Sequence, residues 1–235
     1  MAFPSADIKL PPRFLGLPEV NPGSCRSGCA RCVELCPTGA ITAPEGKPVL
    51  DLGRCIFCGK CAALCPGVFK FASDYKLSAR KKEDLLLSGP ALERAETLDL
   101  KMRKIFGRSL KLRLVSAGGC NACEADCNVL QTLTYDLGRF GIQFVASPRH
   151  ADGLLITGPV TRNMALALEK TYAAVPEPKI VIAAGACAVS GGIYAGHPET
   201  AGIPRNITVD LYIPGCPPHP LTILDGLLRL LGRIE

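Results

Sequence analysis

The sequence predicts an α/β protein in which a helix-covered parallel sheet forms the C-terminal half and a small, cysteine-rich α+β domain precedes it. From residue 110 onward, short apolar segments alternate with segments of helical periodicity, which is typical of a parallel sheet covered on both faces. Before residue 76, eight cysteines fall between positions 25 and 65. The 235 residues therefore divide into an extended, proline-rich N-terminal arm (1–20), a cysteine-rich domain (21–75), a linker with a helix (76–109) and the α/β domain (110–235).

The α/β domain is expected to contain five strands and three helices, and the linker one further helix. The strands are predicted at residues 111–115, 141–145, 154–157, 179–184 and 207–213. The helices are predicted at 91–106, after Gly89 and Pro90, and at 124–137, 162–174 and 221–231. Open α/β sheets bind ligands in the loops that follow their strands. Those loops carry four cysteines, Cys120, Cys123, Cys187 and Cys216.

The composition excludes several classes of protein. Hydrophobic residues make up 48% of the chain and charged residues 20%, which is too apolar for an intrinsically disordered protein. No apolar run reaches the roughly 18 residues of a membrane span, and the proline-containing N-terminus lacks the apolar core of a secretory signal. We therefore expect a cytoplasmic protein, in which thirteen reduced cysteines indicate metal binding rather than disulfides.

The clearest motif is a four-cysteine run that ends in proline. Cys55, Cys58, Cys61 and Cys65 follow the spacing C-x2-C-x2-C-x3-C-P, with which bacterial ferredoxins bind a 4Fe-4S cubane. In two-cluster ferredoxins the fourth cysteine of such a run binds the other cluster. A zinc ribbon is the alternative, but zinc needs only two short pairs and would leave thiols over.

An irregular copy of this motif precedes it. Cys25, Cys29, Cys32 and Cys36 are followed by Pro37, with one extra residue in the first gap that Gly28 is expected to absorb. Exchange of the fourth ligands assigns Cys25, Cys29, Cys32 and Cys65 to cluster 1, and Cys55, Cys58, Cys61 and Cys36 to cluster 2. If Cys25 were not a ligand, cluster 1 would be a three-iron species or would hold a labile iron.

A third cluster is predicted in the α/β domain. The close pair Cys120 and Cys123 and the distant Cys187 and Cys216 all lie in or beside glycine-containing loops, so backbone N–H groups can approach the sulfurs and tune a reduction potential. Buried structural cysteines are the alternative. Cys127, one helical turn after Cys123, is interpreted as a small buried side chain. Three clusters of net charge about −2 each would offset the formal charge of +6, and we expect no nucleic-acid partner.

Two resemblances follow from these motifs. The N-terminal cysteines, with FASDYKLS at 71–78 and KEDL at 82–85, resemble the two-cluster ferredoxin subunit of respiratory complex I and of membrane-associated NiFe hydrogenases. The C-terminal half resembles the small subunit of energy-converting, formate hydrogenlyase-type NiFe hydrogenases, which is related to the cluster-bearing 20 kDa-type subunit of complex I. The segments that carry the second resemblance are CNACE at 120–124, SPRHAD at 147–152, GPVTRNM at 158–164, GAC at 185–187 and YIPGCPP at 212–218.

The resemblance implies a fold, a cofactor set and partners. The C-terminal domain would be flavodoxin-like and would hold a proximal 4Fe-4S cluster facing a separate hydrogenase-type large subunit, where the NiFe site resides. The chain itself would have no catalytic residue and would relay electrons through three 4Fe-4S clusters. The other partners implied are membrane-arm subunits and a soluble ferredoxin or formate dehydrogenase-type protein, with the complex on the cytoplasmic face of the membrane and no membrane span in this chain.

Two alternatives stay open. The first is the equivalent subunit of a complex I-like quinone oxidoreductase, or of a nickel-free hydrogenase-related complex. The complex I relative has two adjacent cysteines, whereas two residues separate Cys120 from Cys123, as in hydrogenases, which favours a hydrogenase. The second alternative is a stand-alone ferredoxin-type electron carrier.

His219 follows Cys216 by three residues and has two interpretations. The imidazole makes a structural hydrogen bond, or its titration near neutral pH couples cluster reduction to proton uptake.

Overall fold

The computed structural model describes residue 3 and residues 8–26, 29–89 and 91–234. Gly28, which we expected to absorb the extra residue of the first cysteine motif, lies outside the described residues, as does Pro90. Among the helices of the described residues, none is long and apolar enough to span a bilayer.

The N-terminal domain consists of very short elements. Its strands are β1 (Pro18–Val20), β2 (Ile41–Thr42), β3 (Val49–Asp51), β4 (Phe69–Phe71) and β5 (Leu86–Leu87), and its helices are α1 (Arg31–Leu35) and α2 (Lys60–Leu64). Strands β1 and β4 form one antiparallel pair, and β2, β3 and β5 form a second antiparallel sheet. Each helix starts inside one cysteine motif, so α1 carries Cys32 and α2 carries Cys61.

A five-stranded parallel sheet forms the C-terminal domain. Its strands are β6 (Leu110–Ser116), β7 (Ile142–Phe144), β8 (Gly153–Thr157), β9 (Ile180–Ala184) and β10 (Leu211–Ile213), in the spatial order β10-β9-β8-β6-β7. Counted within the domain, this is the flavodoxin-like order 2-1-3-4-5. All neighbouring pairs are parallel, and β8 and β9 are buried along their whole length. The predicted parallel α/β domain is confirmed, although its last strand is shorter than expected.

Five helices accompany this sheet. They are α3 (Leu100–Phe106), α4 (Ala122–Val129), α5 (Arg162–Ala174), α6 (Ala186–Ser190) and α7 (Pro220–Leu230). The predicted bounds of α5 are correct, and those of α7 differ by one residue at each end. Short 3-10 helices lie at Pro22–Ser24, Pro44–Gly46, Glu83–Leu85, Leu137–Phe140, Pro148–His150 and Gly192–Tyr194.

Two helix predictions were too long. Helix α4 ends at Val129 rather than at residue 137, because the Thr132 hydroxyl donates to the Val129 carbonyl at 2.7 Å and turns replace the next helical repeat. In the linker, residues 91–99 are not helical. Ala95 N donates to Ser78 O at 2.7 Å, and Leu98 N donates to Leu230 O at 2.9 Å, so tertiary contacts take the backbone groups that a helix would use.

The linker joins the two domains. Ala79 forms an antiparallel bridge with Tyr212 on the outer strand β10, through N–H···O bonds of 3.1 and 2.9 Å. Farther along, β5 completes the N-terminal sheet beside β3. One buried apolar cluster contains Leu52 and Cys55 of the N-terminal domain together with Val189 of α6. The two domains therefore share a core.

Candidate metal centres

The thiols of the regular motif gather around α2. Burial, together with the neighbouring thiols of Cys61, Cys36 and Cys58, raises the pKa of Cys55 to about 12. Burial likewise raises the pKa of Cys61 to about 11, with contributions from Cys58 and Cys36. Cys36, Cys55, Cys58 and Cys61 line one small pocket, whose other walls include Cys32 and Ile41. The structure therefore brings together the four residues that the sequence assigned to cluster 2.

Backbone N–H groups point at two of these sulfurs. Ala40 N donates to Cys36 Sγ at 3.2 Å, and Phe57 N donates to Cys55 Sγ at 3.3 Å. Such bonds stabilise a thiolate and help to set the potential of an iron–sulfur cluster.

The second set lies beside the first. Burial raises the pKa of Cys32, and the thiols of Cys25 and Cys65 add to the effect. Cys25, Cys29 and Cys65 line an open cleft of about 330 Å³ at the surface. The residues assigned to cluster 1 thus lie together, with Cys25 among them despite the extra residue in its motif.

The third set lies where strands β6, β9 and β10 end. Cys120 precedes α4 and Cys123 lies in its first turn, Cys187 lies in the first turn of α6, and Cys216 follows β10. Burial raises the pKa of Cys123, and Glu124, Cys187 and Cys216 raise it as well. The pKa of Cys187 rises to about 11 through burial, then through Cys216 and Cys120. These four cysteines form a group at the carboxyl edge of the sheet, as the sequence predicted.

Backbone geometry at the third set requires glycine. Gly185 has a φ of +91°, and a Cβ there would stand 2.6 Å from Cys123 Sγ. A side chain at this position would displace the thiol. Gly185 therefore brings α6 and α4 close enough for their cysteines to meet.

The donor chemistry fits iron–sulfur clusters. Buried thiols with raised pKa values repel one another as thiolates and need a positively charged centre to become ligands. Among the described residues, no group of three or more His, Cys, Asp or Glu side chains could hold a single metal ion. A cubane takes one thiolate at each of four separate irons, so its ligands do not have to converge on one point. The three sets, made of thiols alone, suit such a cofactor.

A cleft of about 330 Å³ lies between the residues that follow Cys55 and the loop of Cys216. Ile56 and Phe57 form one wall, and Cys216 and the residues after it form the other. Phe14 from the N-terminal arm lies over this cleft, with its ring 5.3 Å from the ring of His219. The arm therefore lies against both domains here.

His219 and Cys127 have structural surroundings. His219 Nδ1 accepts a hydrogen bond from Leu221 N at 3.2 Å and so caps α7, and burial lowers the pKa of the imidazole. This agrees with the structural interpretation of His219. Cys127 is fully buried in the main apolar core beside Leu130, and burial raises its pKa to about 12.

Sequence reasoning missed one buried acid beside the third set. Glu124 is only 5% exposed, and its carboxylate accepts a hydrogen bond of 2.7 Å from the Thr157 hydroxyl. It raises the pKa of both Cys123 and Cys187. Its position directly after Cys123 was the only signal in the sequence, because Thr157 lies at the end of strand β8, 33 residues farther along the chain.

Comparison with known families agrees with this arrangement. Residues 120–230 match the model of the NADH ubiquinone oxidoreductase 20 kDa subunit. Residues 19–68 match a 4Fe-4S dicluster domain, and residues 48–99 match a 4Fe-4S single cluster domain. The fold and the cysteine sets define an iron–sulfur oxidoreductase subunit.

Three individual relatives indicate which kinds of oxidoreductase subunit this chain is similar to. The probable membrane-bound hydrogenase subunit mbhJ of Pyrococcus furiosus is 42% identical over 143 residues, which are 60% of this chain and 86% of the relative. Formate hydrogenlyase subunit 7 of Escherichia coli is 41% identical over 144 residues, 61% of this chain and 56% of the relative. An NADH-quinone oxidoreductase subunit of Citrifermentans bemidjiense is 45% identical over 116 residues, 49% of this chain and 68% of the relative. The chain belongs to the family of the 20 kDa subunit of NADH ubiquinone oxidoreductase, preceded by 4Fe-4S cluster domains.

Proposed function

We propose that the chain is the electron-transfer subunit of a membrane-associated NiFe hydrogenase complex, located on the cytoplasmic face of the membrane through its partner subunits. Each set of four cysteines binds one 4Fe-4S cluster: Cys25, Cys29, Cys32 and Cys65; Cys36, Cys55, Cys58 and Cys61; and Cys120, Cys123, Cys187 and Cys216. The clusters supply one-electron transfer, while the chain positions them, donates hydrogen bonds to their sulfurs and excludes water. The observation that carries this proposal is the grouping of these twelve thiols into three neighbouring sets.

The third set has features that suit a large subunit. Cys120 and Cys216 are exposed. Ile193 and Tyr194, which follow the loop packed against Cys187, are 56% and 40% exposed. Exposed apolar side chains beside a metal centre are typical of a protein interface. We assign this face to the large subunit that carries the NiFe site.

The set of Cys25, Cys29, Cys32 and Cys65 suits a soluble redox partner. Its cleft of about 330 Å³, lined by Cys25, Cys29 and Cys65, opens at the surface of the molecule. Arg26 and Arg31 are exposed beside it. A soluble ferredoxin or a formate dehydrogenase-type protein would exchange electrons here.

A complex I-like quinone oxidoreductase, or a nickel-free relative of hydrogenases, is the second candidate. The identity of 45% with the NADH-quinone oxidoreductase relative favours it. The hydrogenase is preferred because two residues separate Cys120 from Cys123, whereas the two cysteines are adjacent in the complex I relative.

The test is metal analysis of the native complex, isolated without oxygen through a tag on this chain, together with hydrogen-dependent dye reduction. Nickel with activity, and about 12 iron atoms attributable to this chain, would support the hydrogenase proposal. A full iron complement and an intact large subunit without nickel or activity would favour the second candidate.

A further inference from the structure

A direct contact joins two of the proposed metal centres. One is the Cys55 set, made of Cys36, Cys55, Cys58 and Cys61. The other is the third set, called here the Cys187 set, made of Cys120, Cys123, Cys187 and Cys216. Gly53 lies two residues before Cys55, and Ser190 lies three residues after Cys187 at the end of α6. Ser190 Oγ lies 2.8 Å from Gly53 O and 3.0 Å from Ala186 O, so its hydroxyl can donate to either carbonyl. One side chain thus connects the loop that presents Cys55 with the helix that presents Cys187.

The contact leaves no space at Gly53. A Cβ there would stand 2.7 Å from Val189 Cγ1 and 3.0 Å from Asp51 Oδ1. Asp51 Oδ1 already accepts a hydrogen bond from Gly53 N at 2.8 Å, which fixes the loop from the other side. A methyl group at position 53 must therefore displace the Val189 side chain or separate the loop from α6.

The surrounding core would carry such a movement to the thiols. Val189 is 6% exposed and Cys55 is 7% exposed, and both belong to the same buried apolar cluster. Close-packed interiors transmit small displacements because they contain few voids that could absorb them. The separation of the two cysteine sets is thus linked to the packing at residue 53.

We infer that Gly53, Val189 and Ser190 are positioning residues that set the distance between the metal centre of the Cys55 set and that of the Cys187 set. The inference rests on the proposed function, since it requires a cluster in each set. None of the three residues is a ligand. Electron transfer between two buried centres slows steeply as their separation grows, so these residues control how fast electrons pass between the domains.

The experiment uses Gly53→Ala, Val189→Ala and the double variant, each in the full-length chain within the isolated complex. Three quantities are measured: the iron content, the magnetic interaction between the two reduced centres by electron paramagnetic resonance, and the rate of intramolecular electron transfer after rapid reduction. Gly53→Ala is expected to keep its iron, to lose part of the magnetic interaction and to transfer electrons more slowly than the wild type. Val189→Ala removes the clashing methyl, so the double variant should recover both quantities.

A second pair of variants tests the hydroxyl. Ser190→Ala is expected to weaken the magnetic interaction in the same direction, whereas Ser190→Thr keeps the hydroxyl and should retain it. An unchanged interaction and rate in Gly53→Ala with full iron would overturn the inference. So would a loss of iron that Val189→Ala does not reverse, because it would indicate a role in folding. If the wild-type chain lacks either cluster, the proposed function fails on that measurement before any variant is compared.

Discussion

Two cysteines of helix α4 show how surroundings decide the role of a residue. Cys123 lies in the first turn, where Cys187 and Cys216 are close enough to raise its pKa. Cys127, one turn later, has no exposed surface and packs in the main core beside Leu130. The same thiol is a candidate ligand at one position and a small apolar side chain at the next, because the two positions face different parts of the fold.

A candidate ligand and a buried structural thiol should differ in their effect on iron content, and Cys25 and Cys127 are such a pair. Cys25→Ala is expected to lower the iron of cluster 1, by about one atom if a three-iron species forms or by about four if the cluster is lost. Cys127→Ala should keep all the iron and cost about 1 kcal/mol of stability through a small cavity. Iron and sulfide analysis with thermal unfolding of the two holoproteins measures both effects. Full iron in Cys25→Ala would remove Cys25 from the ligand set.

The buried Glu124 predicts a shift in reduction potential. Its carboxylate lies beside the third cysteine set and is held by the Thr157 hydroxyl. Glu124→Gln keeps the size of the side chain but removes its negative charge, so the reduced cluster should become easier to form. We expect the potential of the third cluster to rise by about 50 to 100 mV, with the other two unchanged. Redox titration of the holoprotein tests this, and an unshifted potential would contradict the role given to Glu124.

At the scale of elements, helix α7 is buried along its whole length and yet contains an ion pair. Arg229 Nε donates to Asp225 Oδ2 at 2.9 Å, and Asp225 is only 1% exposed. Burial raises the pKa of Asp225, while Arg229, Lys76 and Arg94 lower it. The cost of removing these charges from water is therefore only partly offset by their attraction, as is general for buried pairs.

Replacing one residue of the Asp225–Arg229 pair should destabilise the protein more than replacing both. Arg229→Ala leaves Asp225 buried without its nearest cation and is expected to cost about 3 to 5 kcal/mol of stability. The double variant Asp225→Leu/Arg229→Met should recover most of that loss. Without Arg229 the pKa of Asp225 rises further in the folded state, so the variant loses stability as the pH rises through that pKa. The difference in stability between Arg229→Ala and the wild type should therefore be larger at neutral pH than under mildly acidic conditions.

Thermal unfolding of the matched holoproteins at two pH values tests the pair. An Arg229→Ala variant as stable as the wild type at neutral pH would contradict this account. A double variant no better than the single one would show that the pair contributes more than its packing.

At the scale of the whole molecule, the two domains depend on metal to different degrees. The C-terminal sheet has strands of up to seven residues and a fully buried core. The N-terminal helices α1 and α2 have five residues each, and its strands have two or three. Helices of that length are not stable by themselves in water. The N-terminal domain therefore needs its clusters more than the C-terminal domain does.

Iron removal should unfold the chain unevenly. Hydrogen exchange of the apoprotein and the holoprotein is expected to show that residues 29–72 lose protection, while β8 and β9 keep most of theirs. The shared core at Val189 predicts that α6 also loses part of its protection. An equal loss of hydrogen-exchange protection in both domains would mean that they unfold as one unit. Unchanged protection in the N-terminal domain would mean that its packing suffices without metal.

Much of this architecture could be predicted from local sequence. Strands β6, β8 and β9 and helix α5 were predicted almost residue by residue, because strong apolar periodicity and clear turns set their bounds. The cysteine spacing likewise predicts three sets of cluster ligands, and that assignment stays a prediction. The linker helix was predicted about two turns too long, because its first residues bond to Ser78 and Leu230 instead of to one another.

The sequence by itself determined the α/β class, with a parallel sheet in the C-terminal part and cysteine motifs before it. The domain bounds and the residues assigned to each cysteine set stay predictions. These features depend on short-range periodicity and on the thiol chemistry of the motifs. Only the tertiary structure decided how the domains meet, through the bridge between Ala79 and Tyr212 and the contact between Gly53 and Ser190. Within the C-terminal domain, only the tertiary structure decided the burial of Glu124 beside Thr157. Each of these pairs is distant in sequence, and no local pattern encodes a contact that forms only when the whole chain has folded.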